Sequence, residues 1–263
     1  MSKNQPISVV VVGSGNVAEA VAHGVAESWA LELKQIVARN EERAAAIAKQ
    51  TNTEWTSDFS ELEPADFYII AVSDRAVEEV AAQLNRPKES IVVHTAGSVE
   101  MDALGEGLRG VLYPFQTFTV GRRVEFSEVP LFIEGCNHEV AERIEMLAQA
   151  LSSRVYHASS SRRREIHLSG VLACNFVNAL YSMAADHLGS REGLPFDVLR
   201  PLILETANKA VESQHPRNVQ TGPAVRGDRS VAERHEAMLD AEHNKPEIYK
   251  LLTDYIWQTS RKI

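Results

Sequence analysis

The sequence predicts an α/β protein in which a doubly wound, mostly parallel sheet over residues 1–156 precedes an all-helical domain over residues 157–263. Short apolar runs alternate with helical patterns through the first half, as βαβ crossovers require. From Ser161 onward no convincing strand pattern occurs. The run Ser159-Ser160-Ser161 breaks the texture between the two regions, so the boundary is expected near Tyr156–Ser161.

Each element has its own reason. Ile7–Val12 is a continuous branched run ending at Gly13, the pattern of a strand buried on both faces. Asn16 to about Leu31 reads as a helix, with Val17, Val21, Val25 and Ala26 along one stripe. Gln35–Ala38 is a second strand. Asn40 then suits a helix cap, and Glu41 and Glu42 in the first turn complement the helix dipole. Asp66–Val72 and Ile91–His94 are further strands, with a helix over Ala76–Leu84 between them. Val111–Tyr113 and Leu131–Ile133 are shorter strand candidates. Val140, Ile144, Leu147, Ala148 and Leu151 recur at helical spacing, so this segment should cover the sheet. Beyond the boundary, helices are expected over Arg163–Leu188, Asp197–Glu212, Ser230–Ala241 and Pro246–Trp257.

Composition narrows the class. Of 263 residues, 44% are hydrophobic and 24% charged, a globular balance that excludes collagen-like and disordered chains. The 27 basic against 36 acidic residues leave a net charge of −9, which disfavours nucleic acid and anionic membrane as partners. Cys136 and Cys174 stand far apart, Met1–Pro6 carries no export pattern, and a reducing, cytoplasmic setting is expected. Leu168–Ala185 lacks a formal charge for eighteen residues, but Ser169, Asn175, Asn178 and Ser182 would be costly in hydrocarbon. The expectation is a helix in the middle of a soluble helical domain or of a dimer, with Cys174 inert inside it, and no membrane.

The motif with most chemical content is Gly13-Ser14-Gly15-Asn16-Val17-Ala18, after a strand and opening a helix. In that context G-x-G-x-x-G/A is the Rossmann dinucleotide fingerprint. Gly13 allows the tight turn, Gly15 the approach of a pyrophosphate, and Ala18 close helix–strand packing, while the helix N-terminus offers free N–H groups. Arg39 ends the second strand where an acid would select NAD, so a 2′-phosphate, and hence NADP, is favoured. Asn40 and Arg43 stand near enough in sequence to assist, although Arg39 also fits a solvated residue and Asn40 a cap.

Strand ends supply the other candidates, because ligands lie beyond the carboxyl ends of strands in such sheets. Val72, Ser73 and Asp74 close one strand and Thr95 follows another, with Asp74 also suited to cap a helix. His94 is either a proton donor or a strand-end side chain satisfied by backbone. Tyr113–Thr119 is an aromatic, polar loop, either a wall beside the nicotinamide or a plug between domains. His167, Asn175 and Asn178 are spaced by eight and eleven residues, which puts them on one face of an α-helix. They are the candidate catalytic residues, with Arg226 as a carboxylate or phosphate clamp. A structural polar seam is the competing reading for the helix face. Asp228 orients Arg226 or binds its own loop, with Ser230 as the following cap. Arg162-Arg163-Arg164 marks an anion site or a solvated cluster. The nine histidines are scattered with no metal-ligand spacing, so no metal is expected.

Gly13–Ala18, Tyr113–Thr119, the Ile166–Tyr181 helix and Thr221-Gly222-Pro223-Ala224-Val225-Arg226-Gly227-Asp228 together resemble a specific family. It is the Rossmann-like proteins carrying domain of unknown function 2520, grouped among NADP oxidoreductases, and the resemblance spans nearly the whole chain. Leu168-Ser169-Gly170 through Gly193-Leu194 is also similar to the long helix of pyrroline-5-carboxylate reductases. That resemblance implies an interlocked homodimer through the helical domain and a substrate site between the domains. Gly222-Pro223-Ala224 departs from that family's Gly-Gly-Thr-Thr loop, which argues against pyrroline carboxylate as substrate. Compared with β-hydroxyacid dehydrogenases, Cys174 stands at the catalytic Lys and Asn178 at the second Asn, so hydroxyacid oxidation by that route is not expected. The implied function is NADP(H)-dependent reduction of a small imine or carbonyl. A non-catalytic NADP-binding regulator or redox sensor, or a deazaflavin-dependent NADP reductase, are the alternatives.

Overall fold

In the computed structural model, residues 5–239 and 242–260 are described. The residues pack as two units that divide between Cys174 and Asn175, so residues 157–174 belong with the first.

The first unit holds an eight-stranded sheet in the order β3-β2-β1-β4-β5-β6-β7-β8. Its strands are β1 (Ile7–Val12), β2 (Leu31–Val37), β3 (Glu54–Thr56), β4 (Phe67–Ile70), β5 (Ile91–His94), β6 (Arg109–Pro114), β7 (Leu131–Gly135) and β8 (Val155–His157). Neighbours are parallel except β6 and β7, which run antiparallel. The first six strands follow the doubly wound order, with the topological switch between β1 and β4. Val9 and Val11 of β1 enter one core with α1 (Asn16–Glu27), α2 (Glu41–Thr51) and α4 (His138–Gln149). Val10 and Val12 enter the other, against α3 (Val77–Gln83). Branched residues on both faces explain why β1 reads as an unbroken apolar run.

Several boundaries differ from the sequence expectation for local reasons. Helix α1 stops at Glu27 rather than Leu31, because Ser28 turns the chain and its hydroxyl donates to the Ala150 carbonyl at 2.8 Å. Strand β2 therefore begins at Leu31 instead of Gln35, and Lys34 is an extra residue where the register with β1 shifts. Edge strands β3 and β8 span three residues each, too short for a periodic signal.

Helix α5 (Ser160–Gly170) begins three residues before the expected Arg163, with the Ser159 hydroxyl accepting from the Arg162 N–H. A π turn, Val171–Asn175, leads into α6 (Phe176–Glu192). The remaining helices are α7 (Arg200–Glu212), α8 (Pro223–Arg226), α9 (Arg229–Met238) and α10 (Lys245–Ser260). The expected third helix reached Ala241; α9 ends at Met238, and Asp240 and Ala241 lie outside the described residues.

The span Ser160–Glu192 is long and apolar enough, by length and composition, to cross a membrane. Its apolar part is uncovered among the described residues, since α6 and α7 contain no buried residue. Leu172, Phe176, Leu202, Leu204 and Val211 are all exposed, and so is Cys174, which was expected inside an apolar helix.

Candidate active site

The turn after β1 is shaped by two glycines with opposite surroundings. Gly13 has φ +132°, and a Cβ there would lie 2.2 Å from the Ala71 carbonyl oxygen, so only glycine fits. A Cβ on Gly15 would meet nothing within 4 Å, and it would project into open space at the start of α1. No side chain caps that helix, which leaves its first N–H groups available to an anion. The loop is held from outside. Arg43 Nε donates to the Ser14 carbonyl at 3.2 Å, its guanidinium pairs with Glu19 at 2.8 Å, and Asn16 Nδ2 donates to the Phe118 carbonyl at 3.1 Å.

These residues line a cleft of about 680 Å³ that opens along the carboxyl ends of the strands. Gly13, Ser14, Gly15, Asn16 and Val17 form one wall, Arg39 and Asn40 a second, and Val72 and Ser73 a third. Arg39 is exposed at the end of β2, with no hydrogen bond or ion pair among the described residues. Asn40 caps α2, its Oδ1 accepting from the Arg43 N–H at 3.0 Å. Arg43, the other cation near Arg39, is thus bound to the loop and to Glu19.

Asp74 and Thr95 lie outside the lining of this cleft. Ser73, rather than Asp74, precedes the helical turn Asp74–Ala76, and Asp74 accepts the Ser98 hydroxyl instead. Thr95 is buried and bonds to the Ile70 carbonyl. Phe59, Gln116 and Phe118 also line the cleft, and sequence reasoning did not single out Phe59. Phe59 follows β3, whose three residues gave no pattern from which to place it.

Beyond β5 and β6 a second group assembles inside the same unit. Tyr113 Oη and His167 Nδ1 are 3.1 Å apart. Burial pushes the Tyr113 phenol up to about 12, opposed by the Arg163 charge and reinforced by Asp74. His94 is fully buried, and its Nδ1 accepts the Ala96 N–H at 3.2 Å, so the strand-end reading holds for that nitrogen. Its Nε2 has no partner among the described residues. Burial, aided by Arg163, pushes the His94 imidazole down to about 4, so it is neutral at pH 7.

Arg163 corrects the reading of the triple arginine as an anion site or a solvated cluster. Its side chain is buried and pairs with Glu134 at 2.7 Å, while Glu134 also accepts from the Ser160 N–H and hydroxyl at 3.0 and 2.7 Å. Arg164 pairs with Glu100.

In the second unit, Asn175 ends the π turn, and Asn178 lines a cavity of about 530 Å³ with Tyr181, Phe196 and Arg200. The π turn separates His167 from Asn178 and includes Asn175, so the spacings of eight and eleven do not run along an unbroken α-helix. Arg226 is exposed at the end of α8. Asp228, not Ser230, caps α9: it accepts from the Val231 N–H at 3.2 Å and from the Ser230 hydroxyl at 3.0 Å.

Fold and cleft define a protein with a Rossmann nucleotide-binding domain. A family model described as "NADP oxidoreductase coenzyme F420-dependent" matches residues 8–97, and one described as a domain of unknown function, DUF2520, matches residues 129–256. A Bacteroides fragilis protein provisionally named an NADP oxidoreductase is 38% identical, over 96% of this chain and 98% of its own, with a TM-score of 0.89. The chain therefore belongs to the NADP oxidoreductase family that carries DUF2520 behind its nucleotide-binding domain.

Two more distant structures share the fold. The pyrroline-5-carboxylate reductase of Streptococcus pyogenes is 15% identical over 98% of this chain and 99% of its own, with a TM-score of 0.63. The reductive aminase of Aspergillus terreus, solved with NADPH, is 12% identical over 98% of this chain and 95% of its own, with a TM-score of 0.69. No curated protein matches the chain.

Proposed function

We propose that the protein is an NADP(H)-dependent reductase of a small imine or carbonyl compound. The observation that carries this reading is the pairing, in one cleft, of an open Gly15 cradle with Arg39, which has no partner among the described residues. The cradle suits a pyrophosphate at the N-terminus of α1, and Arg39 offers a planar, permanently charged fork to a 2′-phosphate. Val72 and Ser73 continue the cleft toward β5. When bound, the nicotinamide supplies a hydride; the chain must hold the substrate and provide a proton.

His167 is the proton source on this reading, half-buried beside the ends of β5 and β6. Asn175, Asn178 and Arg226 are assigned to holding the polar end of the substrate; each is exposed, with no side-chain hydrogen bond among the described residues. No cluster of three or more metal-ligating side chains occurs among the described residues, and the two lone cysteines suit a reducing, cytoplasmic setting. The uncovered apolar side chains of α6 and α7 support a homodimer formed through the helical region rather than a membrane span.

Titration calorimetry with NADPH and NADH tests the cofactor. NADPH should bind tightly and NADH weakly, and Arg39→Asp should weaken NADPH far more than NADH. Equal loss of both, or of neither, overturns the assignment of Arg39. The description of the model matching residues 8–97 favours a second reading, hydride exchange between NADPH and coenzyme F420. Loss of the visible absorbance of F420 on mixing with NADPH and the protein would select it.

A further inference from the structure

We infer that the proton leaving His167 reaches the substrate through the hydroxyl of Tyr113, which makes Tyr113 the residue that touches the reacting atom. This rests on the reductase reading above.

The position comes from the sheet. Arg39 stands at the end of β2, on one side of the switch between β1 and β4. A dinucleotide whose adenosine half lies on that side extends its other half across the switch, over the ends of β4 and β5 toward β6. Tyr113 is the penultimate residue of β6, which runs parallel to β5, so it stands at the carboxyl end where that half must finish.

The ring is held rigidly there. A Cβ on Gly97, just past β5, would lie 2.6 Å from His167 Nδ1 and 2.8 Å from Tyr113 Cζ, so the backbone after β5 presses directly on the pair. Phe115 packs against the phenol edge-on at 6.0 Å between centroids, and Phe132 lies tilted to it at 6.4 Å. A reacting group fixed on three sides is pre-oriented, as proton transfer in a transition state requires.

The charges around it fit a donor. The phenol keeps its proton at neutral pH, while the Arg163 guanidinium favours the phenolate left behind when it gives that proton up. Arg163 is held by Glu134, and Asp74 beyond β4 and neutral His94 on β5 complete the titratable groups near the site. His167 is partly exposed, so solvent reaches its ring.

The step balances. The substrate carbon accepts a hydride with its electron pair, and the C=N or C=O π pair moves to nitrogen or oxygen. That atom takes the proton from Tyr113 Oη. The phenolate takes a proton from His167 Nδ1, 3.1 Å away, and the imidazole regains one from water. Hydride and proton together bring the substrate two electrons and two protons, for which bound NADPH would be the reductant.

The test uses the full chain, with 1-pyrroline and cyclohexanone as probes, and Tyr113→Phe, which keeps the ring. NADPH affinity should change by less than about twofold, while kcat should fall by about a hundredfold or more. Independently of activity, the ¹⁵N shift of His167 Nδ1 in the free protein should move on Tyr113→Phe, because its partner is gone. An unchanged Nδ1 shift, or a fully active Tyr113→Phe enzyme beside an active wild type, overturns this inference alone. A wild-type chain that binds no NADPH, or reduces neither probe, overturns the reductase reading and this inference with it. Should Tyr113→Phe misfold, His167→Asn decides: it should lower kcat with KM and NADPH affinity unchanged, and full activity would overturn the relay.

Discussion

Arg163 on α5 and Glu134 on β7 form an ion pair of 2.7 Å in which the guanidinium is wholly buried. Glu134 also receives both donors of Ser160, so one carboxylate anchors the start of α5 to the sheet. Removing one member of a buried pair strands the other charge out of water. Glu134→Gln should therefore destabilise the protein by about 3 kcal/mol, read as the midpoint of urea unfolding. A loss typical of an exposed pair, under about 1 kcal/mol, would show that water reaches Arg163.

The two glycines of the first loop separate folding from binding. Gly13→Ala places a Cβ 2.2 Å from the Ala71 carbonyl oxygen at φ +132°, and should lower Tm as well as abolish cofactor binding. Gly15→Ala meets no protein atom, so Tm should stay where it is. NADPH affinity should nevertheless fall at least about tenfold, some 1.4 kcal/mol, because the methyl group occupies the cradle. Unchanged affinity in Gly15→Ala would move the pyrophosphate elsewhere.

His94 makes stability sensitive to mild acid. Its imidazole is held down to about 4 in the fold, against an ordinary value of 6.5. Between those values the unfolded chain binds a proton that the native chain refuses. The stabilisation is complete above about pH 6.5 and disappears as the pH falls toward 4, with roughly 2 kcal/mol gone at pH 5. Thermal unfolding at pH 7 and pH 5 should show this loss in the wild type and much less of it in His94→Asn, whose Oδ1 replaces the Nδ1 acceptor for Ala96. Equal acid sensitivity of the two would place its origin in another group.

The helical region carries its own test. Leu204 is 62% exposed on α7, on a helix with no buried residue. Sedimentation of the wild type should give a dimer, and Leu204→Glu should shift it toward monomer, since a carboxylate in an apolar interface is costly. A monomeric wild type would leave these side chains without the cover assigned to them.

The nucleotide half was legible because its signals are local. Gly13, Gly15 and Ala18 sit at fixed offsets after a strand, and Arg39 ends the next one, so short windows contain both the fold element and its chemistry. The short strands β3 and β8 and the turn at Ser28 were not legible. Three-residue strands have no period, and Ser28 is set by a bond to Ala150, far along the chain.

By itself the sequence determined the alternation of strands and helices, the dinucleotide loop and the cation at the end of β2. Each follows from residues within a few positions of one another. Only the tertiary structure decided which polar residues meet. It put Arg163 in a buried pair with Glu134, tied Arg43 to Ser14 and Glu19, and made Asp228 a helix cap. It also brought Tyr113 onto His167, 54 positions apart, against Gly97, where a Cβ would crowd both rings. Such encounters depend on how strands order themselves across the sheet and how helices return over it, and hydrophobic periodicity carries no record of those distances.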